Sequence, residues 1–249
     1  MKKIISLCLV LALALTAIGG ATLAYFTDTD KADNTFTTGN VKIDLLENFG
    51  DNDPETAEKL LPATGSAQDG SLENGITKEV SVKNIGTEKA YVRVHIAIPS
   101  VLDNGNPEFD AGKNTLHFNF TPESVVAGQW NWSKTTGEPT TGNWNFYTTT
   151  VKEGEKEISY NVYVVTYETA LAPNATTTTD AMSQVYLDKY TSNEAIASYI
   201  EQLGANWHIL VVAEGAQEAG FDNAYDALNT AFSVPGEDYK ADFTGAEKQ

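Results

Sequence analysis

The chain has 249 residues, with 34 acidic against 16 basic side chains and a net charge of −18. So acidic a surface repels phosphate backbones and anionic headgroups, which argues against nucleic acid and anionic membrane as direct partners. Its one cysteine, Cys8, cannot close an internal disulfide, so the fold must rest on its core rather than on cross-links.

The N-terminus reads as an export signal over residues 1–24. Met1-Lys2-Lys3 is a positive n-region, and Ile4 to Ile18 is an apolar run of secretory length, short for a membrane span. Thr22 and Ala24 occupy the −3 and −1 positions of a cleavage site, so processing is expected between Ala24 and Tyr25. Removal takes away Lys2, Lys3 and no acid: 249 residues become 225, and a charge of −18 becomes −20. Leu7 stands where a lipid-attachment motif needs a small residue, so Cys8 is not expected to carry a lipid.

Beyond that site the chain continues Tyr25-Phe26-Thr27-Asp28, then Asn34-Thr35-Phe36-Thr37-Thr38-Gly39-Asn40-Val41-Lys42-Ile43-Asp44-Leu45. With the small residues before Ala24, this resembles the opening of the TasA/camelysin family, exported proteins of Gram-positive bacteria processed by a SipW-type signal peptidase. Val80-Ser81-Val82-Lys83-Asn84-Ile85-Gly86-Thr87 and Ala90 to Val94 continue the similarity, and Ala213 to Gln217 does so more loosely. The resemblance implies a jelly-roll-like β-sandwich, secreted to an extracellular matrix or the cell surface. For TasA-like members it implies fibres built by N-terminal donor-strand exchange; for camelysin-like members, a metallopeptidase.

Most of the mature chain patterns as strands. In Val41-Lys42-Ile43-Asp44-Leu45 aliphatic and polar residues alternate, giving one buried and one wet face. Residues 47–76 form an acidic connection. Lys78 to Asn84 and Ala90 to Ile98 alternate again, and the five residues between them predict a β-hairpin with Gly86 at positive φ. Trp130-Asn131-Trp132 and Trp144-Asn145-Phe146 predict a second hairpin, held by cross-strand aromatics. Ile158 to Tyr167 is apolar on both faces and reads as a central strand; Trp207 to Ala213 is similar. Two helices are expected: one over 193–203 with Ser192 as N-cap, and one capped by Asp222 with Ala224, Leu228, Ala231 and Phe232 on one face. Residues 235–249 read as a frayed polar tail. The fold expected is mainly β: one antiparallel β-sandwich over 25–249 with short helical insertions.

The chemistry-bearing residues are sparse. His95, His117 and His208 are each expected in strands, without the His-Glu-x-x-His spacing by which a helix presents two imidazoles and a carboxylate to zinc. No Gly-x-Ser-x-Gly element is present, so catalytic residues and metal ligands are expected to be none. Asp28, Asp30 and Asp33, and the group Asp51, Asp53 and Glu55, have oxygen donors suited to calcium but lack an EF-hand's glycine and distal glutamate. They read as solvated loops, leaving calcium the one cofactor to consider. Leu61-Pro62-Ala63-Thr64-Gly65 matches a sortase pentapeptide but lies early in the chain, without the apolar span and basic tail such a signal needs.

The functional expectation is therefore a secreted structural subunit that self-associates into fibres or a surface layer. Residues 25–38 form the candidate donor strand, with Tyr25, Phe26 and Thr27, and Thr35, Phe36 and Thr37, adding to a neighbour's sheet edge; the alternative is that they form the first strand of their own sandwich. Other matrix or anchoring proteins are further expected partners. The alternatives are a camelysin-like cell-surface metallopeptidase and a glycan- or host-binding adhesin using Trp130, Trp132 and Trp144.

Overall fold

The structure is a computed structural model describing residues 39–49, 62, 73, 75–103, 116–118, 129–137, 142–204, 207–236 and 239–244. The cleavage residues Ala24 and Tyr25 lie outside the described residues. So do Phe26, Thr27, Thr35, Phe36 and Thr37 of the candidate donor strand, and both acidic groups considered for calcium. Gly39–Gln249 form one compact unit.

Two antiparallel sheets are assembled from the alternating segments. The first has the order β1 (Ile43–Phe49), β2 (Ile76–Asn84), β8 (Met182–Leu187), β4 (Leu116–Phe118). The second runs β5 (Trp130–Asn131), β7 (Lys156–Leu171), β3 (Ala90–Pro99), β9 (Leu210–Gln217), and β6 (Phe146–Glu153) also pairs with β7. Because β7 is 16 residues long, β6 pairs along its first half and β5 opposite Thr166 and Tyr167. Helices α1 (Asn193–Leu203) and α2 (Ala224–Phe232) flank β9 in sequence.

Burial follows from this layering. β2 alternates buried and half-buried residues, as a strand with one wet face must. Every residue of β3 is buried, because its two faces meet different layers. Val92, Val94, Ile96 and Ile98 join Val80, Val82, Met182 and Val185 in the core between the sheets. Tyr91, on the opposite face, packs with Ala216 under Ala224, Ala227 and Leu228 of α2. Each large apolar side chain so buried contributes about 1.5–3 kcal/mol relative to exposure.

The expected hairpin between β2 and β3 does not form. β2 pairs with β1 and β8, β3 with β7 and β9, so residues 85–89 cross from one sheet to the other. A five-residue loop serves either geometry; β3, buried on both faces, belongs at the centre of a covered sheet, whereas β2 keeps a wet face. Asn84 builds the corner: its Nδ2 donates to Glu88 O (2.7 Å) and Leu171 O (2.9 Å), and its Oδ1 accepts from Gly86 N–H (2.9 Å). Gly86 has no positive φ. It is glycine because a Cβ there would lie 2.5 Å from Asn40 O and 2.7 Å from Lys42 N.

The tryptophan segments do meet, through an antiparallel bridge between Ser133 and Trp144, and both then line the edge of β7. Trp132 meets Trp144 edge-on at 6.2 Å and Tyr163 at 5.8 Å, while Trp130 meets Tyr167 at 5.1 Å. Trp130 and Trp132 are 0% exposed and Trp144 7%, so these rings are core and offer no platform to a glycan. Helix α1 has the expected bounds, with the Ser192 side chain accepting from Ala195 N–H. α2 is capped by Asn223 rather than Asp222, and its buried side is Ala224, Tyr225, Ala227 and Leu228, leaving Ala231 exposed. Residues 239–244 are not a frayed tail: Ala241 and Phe243 are buried.

Candidate functional site

Charged residues inside apolar strands locate a cluster of buried ionisable groups that spans several elements. Arg93 and His95 point to the same face of β3, and Glu214 of β9 lies directly opposite Arg93. Arg93 is 1% exposed, His95 0% and Glu214 5%, burial that charges tolerate only when paired and hydrogen-bonded.

The pairing is dense. Glu214 Oε2 accepts from Arg93 Nε at 2.5 Å and lies 3.1 Å from His95 Nε2, while Glu214 Oε1 accepts from the Tyr239 hydroxyl at 2.5 Å. The remaining guanidinium nitrogens reach Asn229 Oδ1 of α2 at 3.0 Å and Ser233 O at 3.2 Å. The Arg93 Cζ also lies over the rings of Phe232 and Tyr239, at 5.7 and 5.9 Å to the ring centres. His95 Nδ1 lies 3.0 Å from the Tyr147 hydroxyl of β6, which also accepts from Ala241 N–H at 3.0 Å. Five parts of the chain, β3, β6, β9, α2 and residues 239–244, thus converge on one carboxylate and one imidazole.

The titration directions follow. Burial pushes His95 below its ordinary value; the Glu214 hydrogen bond and charge oppose this, and Arg93 reinforces it, leaving the ring neutral near pH 7. Burial alone would raise Glu214, but the His95 hydrogen bond, the neighbouring positive charge and the Tyr239 hydroxyl hold it well below the usual carboxylate range. Burial, then the Glu214 carboxylate, push Tyr239 up to about 12.

A second polar knot holds α2 to the same sheet: Asn131 Nδ2 donates to Glu168 Oε1 at 2.9 Å, and Tyr225 reaches that oxygen at 3.3 Å. Elsewhere Lys78, 1% exposed on the inward face of β2, pairs with Glu47 of β1. A cavity of about 420 Å³ lies where the compact unit begins, lined by Gly39, Glu88, Lys89, Gln217, Glu218 and Ala219.

The histidines are not brought together. His95 is in β3 of the second sheet, His117 pairs with Tyr186 in the first, and His208 lies just before β9 rather than within it. Both ring nitrogens of His95 are engaged, and the carboxylate beside it already holds the Arg93 guanidinium. That donor set does not fit a divalent cation, and no group of three metal-ligating side chains converges among the described residues. Of the sortase-like pentapeptide, Pro62 is described; it makes a parallel bridge to Leu187 and is half-buried. Arg93, Glu214 and Tyr239 were missed at the level of sequence. Their signal is a charge within each of two apolar strands and the alternation Tyr239, Ala241, Phe243.

No helix among the described residues is long and apolar enough to cross a membrane. The family model described as camelysin metallo-endopeptidase matches residues 1–88, about a third of the chain. No curated protein and no solved structure matches the chain.

Proposed function

We propose that this chain, which belongs to the TasA/camelysin family by its match over residues 1–88, is a secreted structural subunit that assembles into extracellular fibres or a surface layer. The observation that carries the reading is the edge of β9, which pairs only with β3 among the described strands. That edge belongs to the compact unit Gly39–Gln249, which the candidate donor strand 25–38 precedes in sequence. In this proposal Phe26 and Phe36 of that segment fill side-chain pockets along another copy's sheet edge.

The sheet edges support the same reading. β1 pairs only with β2 and β9 only with β3 among the described strands, so each has an edge that no described strand covers. β9 reads Leu-Val-Val-Ala-Glu-Gly-Ala-Gln, without the lysine or proline that blunts an exposed edge. An extended segment adding there would gain main-chain hydrogen bonds and pockets for alternate side chains. Self-association is thus the proposed partnership, with the SipW-type peptidase acting during export and matrix or anchoring proteins as further partners.

The competing reading is a camelysin-like metallopeptidase, motivated by the description of the matching family. The engagement of both His95 nitrogens weighs against it. Electron microscopy of mature protein beginning at Tyr25, alongside protein lacking 25–38, tests the proposal. Fibres are expected from the first and a β-rich monomer with a cooperative melt from the second. Normal fibres from the truncated chain contradict donor-strand exchange, and chelator-sensitive casein hydrolysis with stoichiometric zinc restores the enzyme.

A further inference from the structure

We propose that the Arg93–His95–Glu214 cluster is an acid-sensitive latch: protonation of His95 releases residues 239–244 from the second sheet while both sheets stay folded. The inference is independent of how the protein assembles.

The hydrogen-bond directions make His95 the sensor. The Glu214 carboxylate can only accept, so Nε2 is the donor of the neutral ring; Nδ1 then accepts from the Tyr147 hydroxyl, which itself accepts from Ala241 N–H. The neutral ring therefore carries its proton on Nε2 and donates it to Glu214 Oε2. Both partners match the uncharged imidazole. A second proton, on Nδ1, turns that nitrogen from acceptor to donor, so the Tyr147 hydroxyl must turn its own proton away and accept from the ring in competition with Ala241 N–H. It also places an imidazolium beside the Arg93 guanidinium, which shares the same carboxylate oxygen.

The segment hangs on this network. Two of its polar ties end on the cluster, Tyr239 on Glu214 and the Ala241 amide on Tyr147; a third, from Lys240 Nζ to Thr148 O, is exposed. Its apolar hold is Ala241 and Phe243. The other neighbours do not compensate an added charge. Opposite His95 and Arg93, β7 presents Val164 and Thr166, and α2 contributes the uncharged Asn229. Asp242, on the segment itself, is exposed. Tyr147 and Tyr239 are pushed up by burial and stay protonated through the acid range, and Tyr91, further along β3, is likewise raised.

The linkage has a definite sign. His95 is held below 6.5 when the latch is closed and returns toward 6.5 when it opens, so the open form binds more protons below that pH. Closure therefore weakens as pH falls through 6.5, by no more than about tenfold per unit, until the closed-form ring itself takes up the proton. Glu214, held below 4.5 when closed, adds a second proton below that value.

Amide hydrogen exchange on the mature chain reads this directly. The protection factor of the Ala241 amide is expected to fall progressively as pH drops from 6.5 to 4.5, by up to about tenfold per unit, while amides of β3 and β7 keep theirs. In His95→Gln, which retains a donor toward Glu214 but cannot titrate, the Ala241 slope over that window is expected to vanish. The proposal is overturned if Ala241 loses protection together with β3 and β7, keeps it throughout, or falls equally in the variant. If the variant does not fold, the His95 ring titration followed by NMR in the unaltered protein decides. Its midpoint must track the loss of Ala241 protection, and a ring that titrates without that loss overturns the latch.

Discussion

Arg93 and Glu214 illustrate how a buried charge is made tolerable and why it is fragile. Their pairing across β3 and β9 is completed by His95, Tyr239 and Asn229, so each heavy cost of desolvation is met by a specific bond. Arg93→Met leaves the Glu214 carboxylate buried without its cation and is expected to cost about 3–5 kcal/mol in urea unfolding. Arg93→Met combined with Glu214→Leu removes both charges and is expected to be milder than the single change, because no unpaired ion remains. A double variant at least as destabilised as Arg93→Met plus a core truncation would show that the ion pair itself supplies the stability. The two charges were legible as residues out of place in apolar runs. Their partnership was not, since 121 positions separate them and register between distant strands leaves no local mark.

At the scale of elements, local chemistry was readable and connectivity less so. Helix α1 was legible to its ends because Ser192 caps it and Ile196, Tyr199, Ile200 and Leu203 recur at helical spacing. The strand β7 was legible because it is apolar on both faces. The link between β2 and β3 was misread because its length and its glycine suit a hairpin as well as a sheet-to-sheet corner. These geometries differ in what Gly86 must do, and substitution separates them. At a corner where residues 40–42 run against it, Gly86→Ala is expected to destabilise by about 1–3 kcal/mol, measured as a lower urea midpoint with an unchanged slope. A neutral Gly86→Ala would contradict the close approach. The C-terminal segment was misread for a different reason: Tyr239, Ala241 and Phe243 alternate, but charged and polar neighbours lower the average hydropathy enough to hide a short strand-like pattern.

The described part of Gly39–Gln249 is a sandwich whose second sheet is covered on its outer side as well, by α2 and the segment after it. That third layer gives a chain without disulfides enough buried surface to stand on its core. The covering also explains why β3, β7 and β9 carry polar residues that are nonetheless buried. The family match over residues 1–88 spans the expected export signal, the candidate donor strand, β1 and β2, so it joins the segment proposed to serve a neighbour with strands of the sandwich. The central claim is that residues 25–38 serve a neighbouring copy rather than their own sandwich. Calorimetric titration of a synthetic peptide of residues 25–38 into protein beginning at Gly39 tests it most directly, with a thermal melt of that protein establishing that it is folded. Saturable binding near one peptide per chain, with a raised Tm and no fibres, is the predicted result. A folded protein that takes up no peptide contradicts the account.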